Sequence, residues 1–413
     1  EILGLRNERA ILLGYKNFAS FKLETEMASN EETVKSFLKS VWEPAKLKAL
    51  HEYKELQNLI RQDDAGMRLL PWDRRYYQAK LQKQLFNFNS MELKPYFKLH
   101  AIIEAAFYVA KKLFNLDFFS LSFLAYHPDV KTWEVKRNGA HIGIFMGDYF
   151  ARESKRSGAW CSSFRSQSKF PKIISPVTIN VCNFAKPTKG SDALLTFDDA
   201  TTLFHEFGHA LHNLLSNVTY EMVSGTSVAR DFVELPSQLY EHWLSTNDVL
   251  SKFAVHSETN EKISQTMLAK LVDYNNFGSG FETVEYLSSA IVDIEIHTLE
   301  PSMTPLESQN KILKLIGMPE GIDMRHALSN FSHIFSGDGY SSGYYSYLWS
   351  EVMDADAFEA FKEKKDFFDR ELSKKLELYI YSAGGSKPPE KLYLLFRGRE
   401  ANIDALLKGR ALL

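Results

Sequence analysis

The run His205-Glu206-Phe207-Gly208-His209 constrains this chain more than any other stretch. Two histidines four residues apart share one face of a helix, one turn apart. Imidazoles so placed can share one zinc ion. Glu206, beside the first of them, can take a proton from a water at the metal. The pair works only on a helix, and the flanking residues supply one. Leu203, Phe204, Phe207, Ala210, Leu211, Leu214 and Leu215 recur at helical spacing, which predicts an amphipathic helix of about four turns with a buried stripe. Asp199 or Thr201 can cap its start. Gly208 costs about 1 kcal/mol relative to Ala inside a helix. A solvated surface helix has no use for it, so another element is expected to pass close by.

Two histidines leave a catalytic metal short, because such sites usually take three protein ligands and keep one position open. Cys161 and Cys182 lie far apart and in no paired motif. A carboxylate on a following helix is the economical third ligand, and Arg230 to Gln238 is such a segment, with Glu234 in it. On the residues alone, Glu234 is either a ligand or an exposed helix carboxylate. Asp231, Gln238 and Glu241 fall at helical offsets from it. One of them is expected to accept the second N–H of a ligating histidine. His212, three positions beyond His209, is either part of that outer shell or a satisfied structural histidine.

Around this centre the chain reads as mainly α with a small β-sheet beside the active site. Ser29-Asn30-Glu31-Glu32 is a capping box before Val34, Phe37, Leu38 and Val41. Pro44 interrupts that helix, which resumes through Leu56 and Ile60. Trp72 to Phe86 and Pro95 to Phe114 give two more helices. Period-two patterning then takes over, and Asn138-Gly139 between Thr132–Lys136 and Ala140–Phe145 is a strong hairpin signal. Trp160 to Phe164 and Val177 to Asn183 are further strands. After Glu234 the chain is helical again, with a Gly/Ser-rich break at 336–343. Residues 1–125 thus read as a mostly helical lobe, 126–250 as sheet plus metal-binding helices, and 251–413 as a helical region with a Gly/Tyr-rich loop.

Composition excludes several classes. The 413 residues are 45% hydrophobic and 24% charged, with net charge −3 and both signs mixed throughout. That is an ordinary globular balance with no nucleic-acid footprint. No apolar run approaches the ~18–20 residues of a membrane span. The opening EILGLRNERAILLGYKNF carries charges inside its apolar part and does not read as a signal peptide. Two cysteines make no disulfide framework, and a reducing cytoplasm fits best. The chain is expected to act as a monomer.

Longer motifs carry a resemblance. HEFGHALH, SGT, RDFVELPSQLYEHW, PVTINVCNFAKP, GYYSYLW and the closing FRGREANIDALL together resemble the M3 family of zinc peptidases, over nearly the whole chain. The wording is most similar to the bacterial peptidyl-dipeptidase and oligopeptidase A branch. The resemblance implies a zincin-like, neurolysin-like architecture and one zinc ion per chain, held by His205, His209 and Glu234, with Glu206 as general base. It makes Tyr340 and Tyr347, seven residues apart, the donors to the transition-state oxyanion. His333 becomes a substrate contact, Tyr344 a substrate-wall or packing residue, and Gly158-Ala159-Trp160-Cys161 a strand flanking the substrate. The glycines of 336–343 permit a mobile loop that could close over substrate. The activity implied is removal of dipeptides from the C-termini of short peptides, or internal cleavage as by an oligopeptidase. Family members carry a helical segment upstream of the point where this chain begins, so a C-terminal catalytic portion is expected. The rival from another class is a peptide-binding module with a metal site and no turnover. An intact HExxH with Glu234, Tyr340 and Tyr347 argues against it.

Overall fold

The computed structural model describes residues 1–86, 90–122, 125–299 and 303–413, with backbone alone at 90 and 272–275. In chain order the elements used below are α1 (Ile2–Leu12), α2 (Glu31–Asp63), α3 (Arg74–Phe86), α4 (Leu99–Phe114), β1 (Asp117–Ser120), β2 (Lys131–Arg137), β3 (Ala140–Phe150), β4 (Trp160–Arg165), β5 (Val177–Phe184), α5 (Phe197–Leu214), α6 (Leu235–Leu244) and α7 (Ser279–Thr298). Two compact units divide the chain, each built from separated segments. The first takes Glu1–Phe88, Ala269–Trp349 and Ile403–Leu413; the second takes Asn89–Leu268 and Ser350–Asn402. No described helix is long and apolar enough to cross a membrane.

The first unit is helical. Its longest element, α2, runs 33 residues straight through Pro44, where the sequence predicts an interruption. An interior proline costs about 3 kcal/mol. The buried row Val34, Leu38, Val41, Ala45, Ala49, Leu56 and Leu59 continues on both sides of it and outweighs that cost. The expected Ser29 capping box does not form. Ser29 is left-handed, at φ 62°, and the cap is Asn30, whose side chain accepts the Thr33 N–H at 2.9 Å. Against α2 lies α7, and Gly280 is why it can come so close: a Cβ there would stand 2.6 Å from the Ala49 nitrogen. At that contact the buried Glu52 carboxylate accepts the N–H groups of Gly280 (3.1 Å) and Phe281 (2.9 Å), amides of the first turn of α7 that have no intrahelical partner.

The second unit holds a five-stranded mixed sheet of order β1-β2-β3-β5-β4. The Asn138-Gly139 turn joins β2 to β3 as the sequence predicts. Both turn residues have positive φ, 50° and 80°, which is the geometry of a two-residue primed turn. β3 runs parallel to β5, and β4 pairs antiparallel with β5 at the sheet edge. Phe145 of β3 meets Phe207 of α5 at 5.1 Å and Phe107 of α4 at 6.1 Å between ring centres. This seats α5 on one face of the sheet, while Val130, Met146, Ile179 and Val181 form a separate buried cluster. α4 begins at Leu99 rather than Pro95, after a 3-10 segment Ser90–Tyr96. The architecture is therefore mainly helical with one small mixed sheet.

Candidate metal centre

α5 starts one turn earlier than its apolar stripe suggests. Thr196 is the cap: its hydroxyl accepts the Asp199 N–H, and the Asp199 carboxylate accepts the Thr196 N–H, both at 3.0 Å. Asp199 is thus the reciprocal partner rather than the cap, and Thr201 donates to the Phe197 carbonyl. The helix has 18 residues, and its C-terminal half is almost wholly buried.

α6 crosses α5 at Gly208. A Cβ on that glycine would sit 2.6 Å from Ser237 Cα and 2.8 Å from the Pro236 carbonyl oxygen. The sequence expectation of a close neighbour is met, and the neighbour is the element that carries Glu234. That residue caps the N-terminus of α6, just after a short helix Arg230–Val233. Its carbonyl accepts the Gln238 N–H at 2.9 Å and the Ser237 hydroxyl at 2.8 Å, which fixes the backbone behind the carboxylate.

Three side chains then converge. Glu234 Oε2 lies 3.1 Å from His209 Nε2 and 3.3 Å from His205 Nε2. One atom from each residue falls within 4.8 Å of the others, the one such grouping of three or more His, Cys, Asp or Glu among the described residues. Behind them, His205 Nδ1 is 2.6 Å from Glu241 Oε1. Of the outer-shell candidates, Glu241 is thus placed against a histidine of the trio. Asp231 is fully buried, and its carbonyl accepts the Ser350 hydroxyl at 2.8 Å. His212 is also fully buried, with neither ring nitrogen hydrogen-bonded among the described residues, and its ring lies against Tyr381. Burial, helped by the neighbouring His209, pushes its pKa down to about 3.

The electrostatics of the trio fit a cation. Burial opposes a charge on His205, yet its hydrogen bonds to Glu234 and Glu241 hold its pKa well above the ordinary value. Burial likewise would raise the Glu234 pKa, but His209 and His205 hold it well below the usual carboxylate range. The buried Glu234 and the half-buried Glu241 carboxylates flank the imidazoles at a spot where positive charge is favoured, and two imidazole nitrogens with one carboxylate oxygen form a donor set suited to zinc. Glu206, only 6% exposed, has an Oε2 atom without a hydrogen-bond partner among the described residues. Burial raises its pKa against the pull of His205 and His209. Its backbone carbonyl accepts from the Asn180 side chain of β5. The sequence reading missed Asn180; an amide inside the apolar strand TINVC was the available signal.

Along the sheet edge, Ser162 to Arg165 of β4 are exposed, and among the described residues β4 pairs with β5 only. Gly158, just before it, has φ 91°, a conformation open to glycine, and its carbonyl accepts from Asn183 at 2.7 Å. Ala159 links it to the strand.

The remaining sequence candidates belong to the first unit. Tyr340 and Tyr347 stack at 5.1 Å between ring centres, 9° apart. His333 lies 6.2 Å from Tyr340 and 5.5 Å from Tyr344. His333 is exposed, Tyr340 and Tyr347 are half-buried, and Tyr344 is buried against Phe331 at 4.7 Å.

The chain is 36% identical over its whole length to "Dipeptidyl carboxypeptidase" of Escherichia coli (strain K12), covering 61% of that protein. It is 36% identical to "Oligopeptidase A" of the same organism over 99% of the chain and 61% of the relative. The chain thus spans about three fifths of the length of these curated relatives. A solved structure described as Pyrococcus furiosus carboxypeptidase Apo-Mg shares the fold at TM-score 0.52 and 14% identity, over 99% of this chain and 72% of the other. Residues 1–412 match the family model for peptidase family M3, and the chain belongs to that family.

Proposed function

We propose that this chain carries a zincin-like centre for zinc-dependent hydrolysis of peptide bonds in short peptides, releasing C-terminal dipeptides. The observation that carries the reading is the convergence of His205 and His209 on Glu234, with a buried Glu206 oxygen on the same helix that has no hydrogen-bond partner among the described residues. His205, His209 and Glu234 are the ligands, and Glu241 orients His205. A zinc ion held there supplies Lewis acidity toward a carbonyl oxygen and eases deprotonation of water. Glu206 Oε2 receives the proton of the attacking water and passes it to the leaving amine. Its raised pKa suits a group that must hold a proton in passing.

Peptide binding is assigned to the open edge of β4 and the Gly158-Ala159 approach. An extended backbone can add there as a strand, with recognition through main-chain hydrogen bonds. Tyr340 and Tyr347 are assigned as oxyanion donors and His333 as a substrate contact, on the motif resemblance. A cytoplasmic setting is assigned as well, supported by the two free cysteines and by a relative named "Probable cytosolic oligopeptidase A".

Endo-acting cleavage is the second reading, favoured by the equal 36% identity to the Escherichia coli relative named "Oligopeptidase A". One experiment separates the readings. An internally quenched peptide is incubated with and without chelator, and the products of peptides with free and amidated C-termini are identified by mass spectrometry. Chelator-sensitive release of dipeptides from free termini alone supports the first reading. Internal cuts that ignore amidation support the second. No turnover with metal bound leaves a binding module.

A further inference from the structure

The glycines of 336–343 suggest a loop free to move, but the first unit ties that segment down on both limbs. Asp293 of α7 is 1% exposed, and both of its carboxylate oxygens are committed. Oδ1 accepts the Ser342 N–H and Oδ2 the Tyr344 N–H, each at 3.0 Å. Ser342 is a non-glycine residue at φ 53°, a conformation that persists where surrounding bonds over-determine it. The other limb is held by Arg6 of α1, itself 6% exposed. Arg6 donates to the carbonyls of Ile334 (2.6 Å) and Gly337 (3.0 Å) and pairs with Asp338 at 3.1 Å. Arg9 takes the second Asp338 oxygen at 2.6 Å.

His297 joins the two anchors. Its Nε2 is 3.0 Å from the Arg6 guanidinium, and its Nδ1 is 2.8 Å from the Asp293 carbonyl and 3.0 Å from Asp293 Oδ1. Arginine only donates, so Nε2 is the acceptor and Nδ1 carries the hydrogen. Tyr340 stands between the anchored residues 338 and 342. The next turn is tied as well: the Tyr286 hydroxyl donates to the Tyr344 carbonyl at 2.5 Å and accepts the Leu348 N–H at 3.3 Å.

We propose that Asp293, with His297 and Arg6 behind it, is a positioning residue that presents Tyr340 in a preset orientation. The inference rests on the reading of Tyr340 as an oxyanion donor. Preset donors need no reorganisation when charge develops, and misplacement by about 1 Å costs roughly 10²-fold in rate.

Asp293→Asn is the test, because it keeps the side chain's size and turns one acceptor into a donor facing an N–H. The expected result is a kcat lowered by about 10–100-fold with KM nearly unchanged. In a Tyr340→Phe background the same change should lower kcat no further, since its effect passes through the tyrosine hydroxyl. Multiplicative losses in the double variant, or a raised KM at constant kcat, overturn the proposal. Hydrogen exchange of the wild-type protein gives a readout independent of activity and of whether the variant folds. The Ser342 and Tyr344 amides should be protected although they sit in a glycine-rich segment, and exchange at unstructured-chain rates there overturns the clamp. A wild-type enzyme without peptidase activity but with protected amides would instead refute the role of Tyr340 and leave the anchors standing.

Discussion

Glu206 is separated from its neighbours by what it lacks. His205 and His209 both reach Glu234, whereas Glu206 Oε2 is buried without a hydrogen-bond partner among the described residues. A carboxylate left so costs free energy unless substrate or water completes it. Glu206→Gln should therefore keep the metal and lose about 10²–10⁴-fold in turnover. Metal analysis beside peptide kinetics checks both halves, and a variant with undiminished kcat removes the general-base role. Glu234→Ala should behave in the opposite order, losing metal first. Full metal occupancy in that variant would reassign the third ligand.

His212 supports a pH prediction. The unfolded imidazole takes up a proton near pH 6.5 and the folded one only near pH 3, because it is buried. Between those values the unfolded state binds more protons, so stability falls as pH is lowered through that window, by about 1.4 kcal/mol per pH unit. His212→Leu should flatten the slope by that amount. Urea unfolding from pH 7 to 4, with chelator present so that metal release does not contribute, measures it; parallel curves for variant and wild type would refute the assignment.

At the residue scale the two histidines and Glu206 were legible because the rule relating them is local. The approach of Glu241 to His205 was not, since helical offsets give a face while contact depends on how α5 and α6 cross.

Elements were legible where their determinants lie within a few residues. The Asn138-Gly139 hairpin needs only two positive-φ residues, and the sequence names them. The reading failed where packing overrode a local rule. Pro44 sits inside α2 because a buried row continues across it, and β1 pairs with β2 without a strong period-two signal of its own. Gly208 gives the clearest element-scale test. Alanine is a better helix former by about 1 kcal/mol, yet its Cβ would stand 2.6 Å from Ser237 Cα and 2.8 Å from a backbone oxygen, atoms that cannot swing aside. Gly208→Ala should destabilise the protein by about 1–3 kcal/mol. It should also weaken metal binding, because the helix it displaces follows directly from Glu234. Melting curves and a metal titration measure the two effects; a variant with raised Tm and unchanged metal affinity would show that the crossing tolerates a methyl group.

At the scale of the whole molecule, the interleaving of the two units was not legible. The sequence divides most simply into consecutive thirds, whereas 1–88 and 89–268 part company at a boundary that only long-range contacts define. What does carry to this scale is the demand that an added strand places on a substrate. Among the described residues β4 has one strand neighbour and exposed residues from Ser162 to Arg165, and a peptide that bound there as proposed would have to be extended with unpaired amides and carbonyls. A native globular protein has those groups paired and releases them only by unfolding, locally or globally, at up to about 5–15 kcal/mol. A stable folded protein should therefore be cleaved at least about 10³-fold more slowly than a short peptide cut from its own sequence. Comparing a disulfide-stabilised protein with that peptide, at equal concentration and with mass-spectrometric detection of products, is the measurement. Equal rates would mean that substrate is taken up without strand addition, and the assignment of the β4 edge and Gly158-Ala159 would fall with it.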